Sequence, residues 1–111
     1  MPIQLEEKAT EGSTLAITVR FYDETGALVV PTAANWTLLD AQAAVVNARD
    51  AVAITPLASS VTIVLHGADL IVGDNGNWRD LVIQSTYDST LGDDLECNES
   101  VHFGIEALPG L

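Results

Sequence analysis

Along residues 14–22, Leu15, Ile17, Val19 and Phe21 alternate with Ala16, Thr18 and Arg20. A period of two places successive side chains on opposite faces, so this segment is expected to be a β-strand with one face in the core. The same alternation recurs in residues 58–66, where Val61, Ile63 and Leu65 stand against Thr62, Val64 and His66. Residues 79–87 read as a long strand with Leu81 and Ile83 facing inward. In the last stretch Val101, Phe103, Ile105 and Ala107 alternate with His102, Gly104 and Glu106. A strand around Trp36 and Leu38 returns through residues 44–47, and a weaker strand is expected at 50–54. Trp36 is expected to be the largest core anchor, since tryptophan is usually highly buried.

The punctuation agrees with this pattern. Asp23-Glu24-Thr25-Gly26 reads as a turn with Gly26 free to take positive φ, and Pro31 ends the short extended piece that follows. Asp40-Ala41-Gln42-Ala43 reads as a hairpin turn and Asp74-Asn75-Gly76-Asn77 as the strongest turn signal in the chain. Gly67-Ala68-Asp69-Leu70 suggests a single helical turn crossing between sheets. Residues 88–96 are expected to be an acidic loop around Gly92. About seven strands with turns every 8–12 residues or so predict an all-β, antiparallel, immunoglobulin-like sandwich. Residues 13–111 form its single domain. Residues 1–12 carry the least pattern and are expected to be an extra edge strand or an arm reaching a neighbour, with Ile3 and Leu5 as its candidate contacts.

Composition sharpens the picture. Hydrophobic residues make up 48% of 111 residues and aromatics only 5%, so the core must be aliphatic. Sixteen acidic against four basic residues give a formal net charge of −12, which argues against nucleic acid and anionic membranes as partners. Cys97 is the lone cysteine, so no intramolecular disulfide forms, in keeping with a reducing compartment. No basic stretch leads into an apolar run near Met1, and no signal peptide is expected. The Asn35-Trp36-Thr37 and Asn98-Glu99-Ser100 sequons are read as chance matches.

Candidate chemistry is sparse. There is no nucleophile elbow, and His66 and His102 lack triad context. One cysteine with two separated histidines does not suit zinc, and the Asp74–Asn77 spacing does not fit a calcium loop. The acids Asp88, Asp93, Asp94, Glu96 and Glu99 could gather around calcium, but turn and surface roles explain them as well. Neither an enzyme nor a cofactor is expected. For recognition of a sugar or receptor, the exposed aromatics would be Trp78 and Tyr87.

Trp36-Thr37-Leu38-Leu39-Asp40 followed by Ala44-Val45-Val46-Asn47 resembles a hairpin of the small immunoglobulin-like virion proteins of tailed bacteriophages. Val61-Thr62-Ile63-Val64-Leu65-His66-Gly67-Ala68-Asp69-Leu70 is similar to their strand-then-crossover segment, and Tyr87-Asp88-Ser89-Thr90-Leu91-Gly92 to the strand end and loop that follow. The likeness runs in strand order from about residue 14 to 107. One departure is Ala43, near a place where a glycine is expected. The resemblance implies a structural component of a phage particle, assembled in the bacterial cytoplasm as a homo-oligomer or in multiple copies and bound to capsid, neck or tail proteins. A solvent-facing acidic chain favours head decoration over a neck or tail role. The alternatives are a carbohydrate- or receptor-recognition module, and an acidic DNA mimic.

Overall fold

The computed structural model describes residues 3–4, 9–73 and 76–107. Their strands are β1 (Ile3–Gln4), β2 (Ala9–Thr10), β3 (Thr14–Arg20), β4 (Ala33–Leu39), β5 (Val52–Ala53), β6 (Ser60–His66), β7 (Trp78–Ser89) and β8 (Gly92–Glu106). A 3-10 turn at Gly67–Leu70 lies where the helical turn was expected. The fold is all-β, in two sheets.

The larger sheet has the order β1-β8-β7-β4-β5, with β2 also on β8. Its centre is antiparallel, but β1 and β2 run parallel to β8, with Ile3 opposite Val101 and Ala9 opposite Ile105. The sheet is therefore mixed, a correction to the wholly antiparallel expectation. Two short parallel strands carry no alternation long enough to be read from sequence. The smaller sheet is β3 and β6, antiparallel from Thr14 opposite His66 to Arg20 opposite Ser60.

The two sheets meet through one face each. β3 contributes Ile17, β6 Ile63 and Leu65, β4 Trp36 and Leu38, β7 Leu81 and Ile83, and β8 Val101, Phe103 and Ile105, all buried. Leu38, Leu65, Leu81 and Phe103 are fully enclosed. Each such side chain contributes about 1.5–3 kcal/mol by leaving water. Trp36 is a core anchor, as expected, and the Arg49 guanidinium lies 5.7 Å from its ring centroid.

Two local expectations are corrected. Residues 44–47 form only an isolated bridge, Val45 with Leu39, and not a strand. Asn47, Ala48 and Ala51 take positive φ, which turns the chain and ends the extension. Residues 88–96 are not a loop: β7 continues to Ser89 and β8 starts at Gly92. Cross-strand pairing such as Tyr87 with Leu95 and Thr86 with Glu96 holds this acidic stretch extended. The hairpin so formed is the longest element, and the molecule measures 54 × 24 × 24 Å.

Candidate binding surfaces

The residues singled out from sequence do not converge. Ile3 lies in β1 against β8, whereas Leu5, like Asp74 and Asn75 of the expected turn, lies outside the described residues. Trp78 and Tyr87 stand at opposite ends of β7. They are nine positions apart, an odd number, so they face opposite sides of the sheet. Trp78 is half-buried on the outer face, where its ring stacks on His102 at 4.7 Å with an interplanar angle of 8°. Tyr87 is buried on the inner face and its hydroxyl donates to Glu24 Oε1 at 3.2 Å. Burial and the neighbouring Glu24 carboxylate both push the Tyr87 phenol above its ordinary value. The pair therefore offers no shared aromatic platform.

The outer face of the larger sheet is polar. Asn35, Gln84 and Asn98 stand directly opposite one another on β4, β7 and β8, forming a row of three amides. They line a shallow depression of about 280 Å³ with Thr86 and Glu96. Asn35 Oδ1 is buried there without a hydrogen-bond partner. Gln84 is six residues from Trp78 along one strand, roughly 20 Å, so no tryptophan overlies the amides. Further along the face, His102 Nδ1 and Asp80 Oδ1 are 2.7 Å apart. This pair orients an imidazole, and among the described residues no hydroxyl or thiol is hydrogen-bonded to it. Three His, Cys, Asp or Glu side chains do not converge anywhere among the described residues in a way that would hold a metal ion.

Two of the four basic residues, Arg49 and Arg79, are engaged by internal contacts. Arg79 is fully buried, on the same face of β7 as Leu81 and Ile83. Its guanidinium donates to the carbonyls of Ile71 at 2.6 Å, Gly76 at 2.8 Å, Trp78 at 2.9 Å and Asp69 at 3.3 Å. It thereby pins the connection between the 3-10 turn and β7. Burial lowers the Arg79 pKa, against the opposing pull of the Asp40 and Glu11 carboxylates. Arg49 Nε donates to the fully buried Asp69 at 2.9 Å. Asp69 also accepts from Asn47 Nδ2 and the His66 amide. Burial alone would raise the Asp69 pKa, but these donors outweigh it and hold the carboxyl below its ordinary range. The hydrogen bond to Asp69 raises the Arg49 pKa in turn. Glu11, Asp40 and Asp69 are buried as well, so the outer surface stays as strongly acidic as the net charge suggests.

A lateral opening between the sheets was not anticipated. It is a cleft of about 180 Å³ between the end of β3 and the middle of β8, lined by Val19, Phe21, Tyr22, Ile83, Cys97 and Glu99 together with Arg20 and Ser85. Cys97 and Glu99 belong to the inward row of β8 that continues as Val101, Phe103 and Ile105, which is the sequence signal for their position. Tyr22, 48% exposed, stands at the rim and bridges to Leu28, 55% exposed. Beside the cleft, β8 pairs with β7 on one side, whereas β1 and β2 reach its other side only at Val101–His102 and Ile105–Glu106. Among the described residues, no strand covers the other edge of β8 over 95–100. Compared with known proteins, the chain matches no family model, no curated protein and no solved structure.

Proposed function

We propose that this chain is an immunoglobulin-like sandwich that acts by binding, without catalysis, as a structural component of a tailed-bacteriophage particle, decorating the head. The observation that carries the reading is the strand order. One sheet sets β8, β7, β4 and β5 side by side, the order expected of the G, F, C and C′ strands of such a sandwich, and β3 pairs with β6 as its B and E strands would.

Of the segments that resemble phage virion proteins, residues 61–70 run through β6 into the 3-10 turn, as a strand-then-crossover segment would, which supports the reading. The surface chemistry supports an outward-facing position. A strongly acidic exterior is repelled by packaged DNA, while Arg49 and Arg79 are engaged internally. Open strand edges and a sheet face without a catalytic constellation suit a protein that attaches to others.

Quantitative mass spectrometry of purified particles tests the proposal. A copy number comparable to the major capsid protein is expected. A few copies per particle would overturn head decoration in favour of the neck or tail, and absence from particles would overturn the virion reading altogether.

A further inference from the structure

We infer that the open edge of β8 at residues 95–100, with the cleft beside it, receives an extended basic segment of a partner protein as an added strand. Three observations meet there. First, alternate backbone N–H and C=O groups of this stretch point away from β7, and no described strand pairs with them. An edge of six residues that no described strand pairs with, about 20 Å long, is a template for one more strand. Second, an added strand would continue the line already taken by β1 and β2, which occupy the same edge of β8 from Val101 onward. Third, the edge lies over an opening into the apolar interior, between Val19, Phe21 and Ile83. Inward-pointing side chains of an added strand would fill it, and Tyr22 at the rim would flank them.

Charge selects the occupant. Asp93, Asp94, Glu96 and Glu99 lie along this part of β8, and Asp88 faces them across the hairpin, where its carboxylate accepts from the Asp94 amide at 2.9 Å. Glu96 points to the outer face, opposite Thr86, and Glu99 to the inner, opposite Ile83. Arg20 stands on the far wall of the cleft. The fitting segment therefore carries apolar residues on its inward face and Lys or Arg on its outward face. A second copy of this chain does not fit. A second copy would bring the same run of acids, Asp93, Asp94, Glu96 and Glu99, against this edge, and like charges brought together across a strand pair are destabilising. The edge of β6 is also open, beside a groove lined by Trp36, Ile54, Pro56 and Val61, but it has no charge to specify what would cover it.

The inference depends on the sandwich and not on its place in a particle, so it is decided by a particle-free experiment. The probe is a seven-residue peptide of alternating Lys and Val, titrated into isotope-labelled protein and followed by amide NMR and hydrogen exchange. The expected result is slowing of exchange by at least tenfold at alternate amides within residues 95–100. Glu96→Lys combined with Glu99→Lys should weaken binding at least tenfold, and added salt should weaken it too. Of two peptides N-methylated at alternate positions, one should bind and the other fail, because only one set of amides faces β8. Equal binding by both methylated peptides would reduce the effect to charge attraction and overturn strand addition. Protection at Ser60–His66 instead, or no binding at millimolar peptide, would overturn the assignment as well.

Discussion

Asp23 and Asp40 open the same turn. In each, the aspartate amide donates to the carbonyl four residues on (Ala27 and Ala44, both 2.9 Å), and the amide three residues on donates back at 3.0 Å. The carboxylate oxygen Oδ1 accepts from the second and fourth following amides, Thr25 and Ala27 in one, Gln42 and Ala44 in the other. This three-residue loop demands a left-handed residue at its third position. Gly26 supplies it at φ 86°, whereas Ala43 is held there at φ 61°. The absent glycine noticed in the sequence is thus a specific backbone cost. Left-handed alanine is disfavoured by about 1–2 kcal/mol, and glycine gives back about 0.5–1 kcal/mol in chain entropy. Ala43→Gly should therefore stabilise the protein by about 0.5–1 kcal/mol, read as a raised Tm or denaturation midpoint. A lowered midpoint would contradict this account of the turn. Asp69 gives a second residue-scale prediction. Its carboxyl titrates below its ordinary value of 3.8 in the folded protein. The stabilisation is thus fully present above that pH and is lost as pH falls through the lower, folded value. Asp69→Asn should cost about 1–3 kcal/mol near neutrality, and denaturation curves should show the gap to wild type narrowing below about pH 4. A gap unchanged down to pH 2 would contradict it.

At the scale of elements, what the sequence made legible was parity. The alternations over β3 and β6 name the buried rows correctly, and that at the end of β8 does so from Val101 to Ile105 but not at the exposed Ala107, because burying one face of a strand leaves a period-two trace only as far as the strand runs. The same parity carried further than composition did. Arg79 is in phase with Leu81 and Ile83, and Cys97 and Glu99 are in phase with Val101, so their inward placement was written in the spacing. Charge hid it, since a base among acids suggests a surface partner and a run of acids suggests a loop. Pairing was the information missing from residues 88–96. Tyr87 and Leu95 are neighbours only once the hairpin forms, and the acids on β8 then decorate a strand edge. Such charges are a usual guard against indiscriminate edge-to-edge association. The short β1 and β2 left no trace, because two residues cannot establish a period.

For the whole molecule, shape and charge follow from the long β7–β8 hairpin. A 15-residue strand spans about 50 Å, which accounts for the 54 Å length. The radius of gyration of 14.9 Å accordingly exceeds the roughly 13 Å of a compact domain of about 100 residues. The hairpin carries the acids Asp80, Asp88, Asp93, Asp94, Glu96, Glu99 and Glu106, while β3 and β6 bring only Arg20 as a charge. One sheet is thus charged and one nearly neutral, and the lateral cleft opens where they part. Both the proposed virion role and the proposed strand-addition site depend on this arrangement of strands around β8. Cross-strand NOE spectroscopy on labelled protein tests it most directly. The account predicts contacts of Ile3 with Val101 and of Ala9 with Ile105 in a parallel pattern, Leu15 with Leu65 in an antiparallel one, and, among the described strands, main-chain pairing of residues 95–100 with β7 only. A further strand on residues 95–100, or antiparallel contacts between the N-terminal strands and β8, would contradict it.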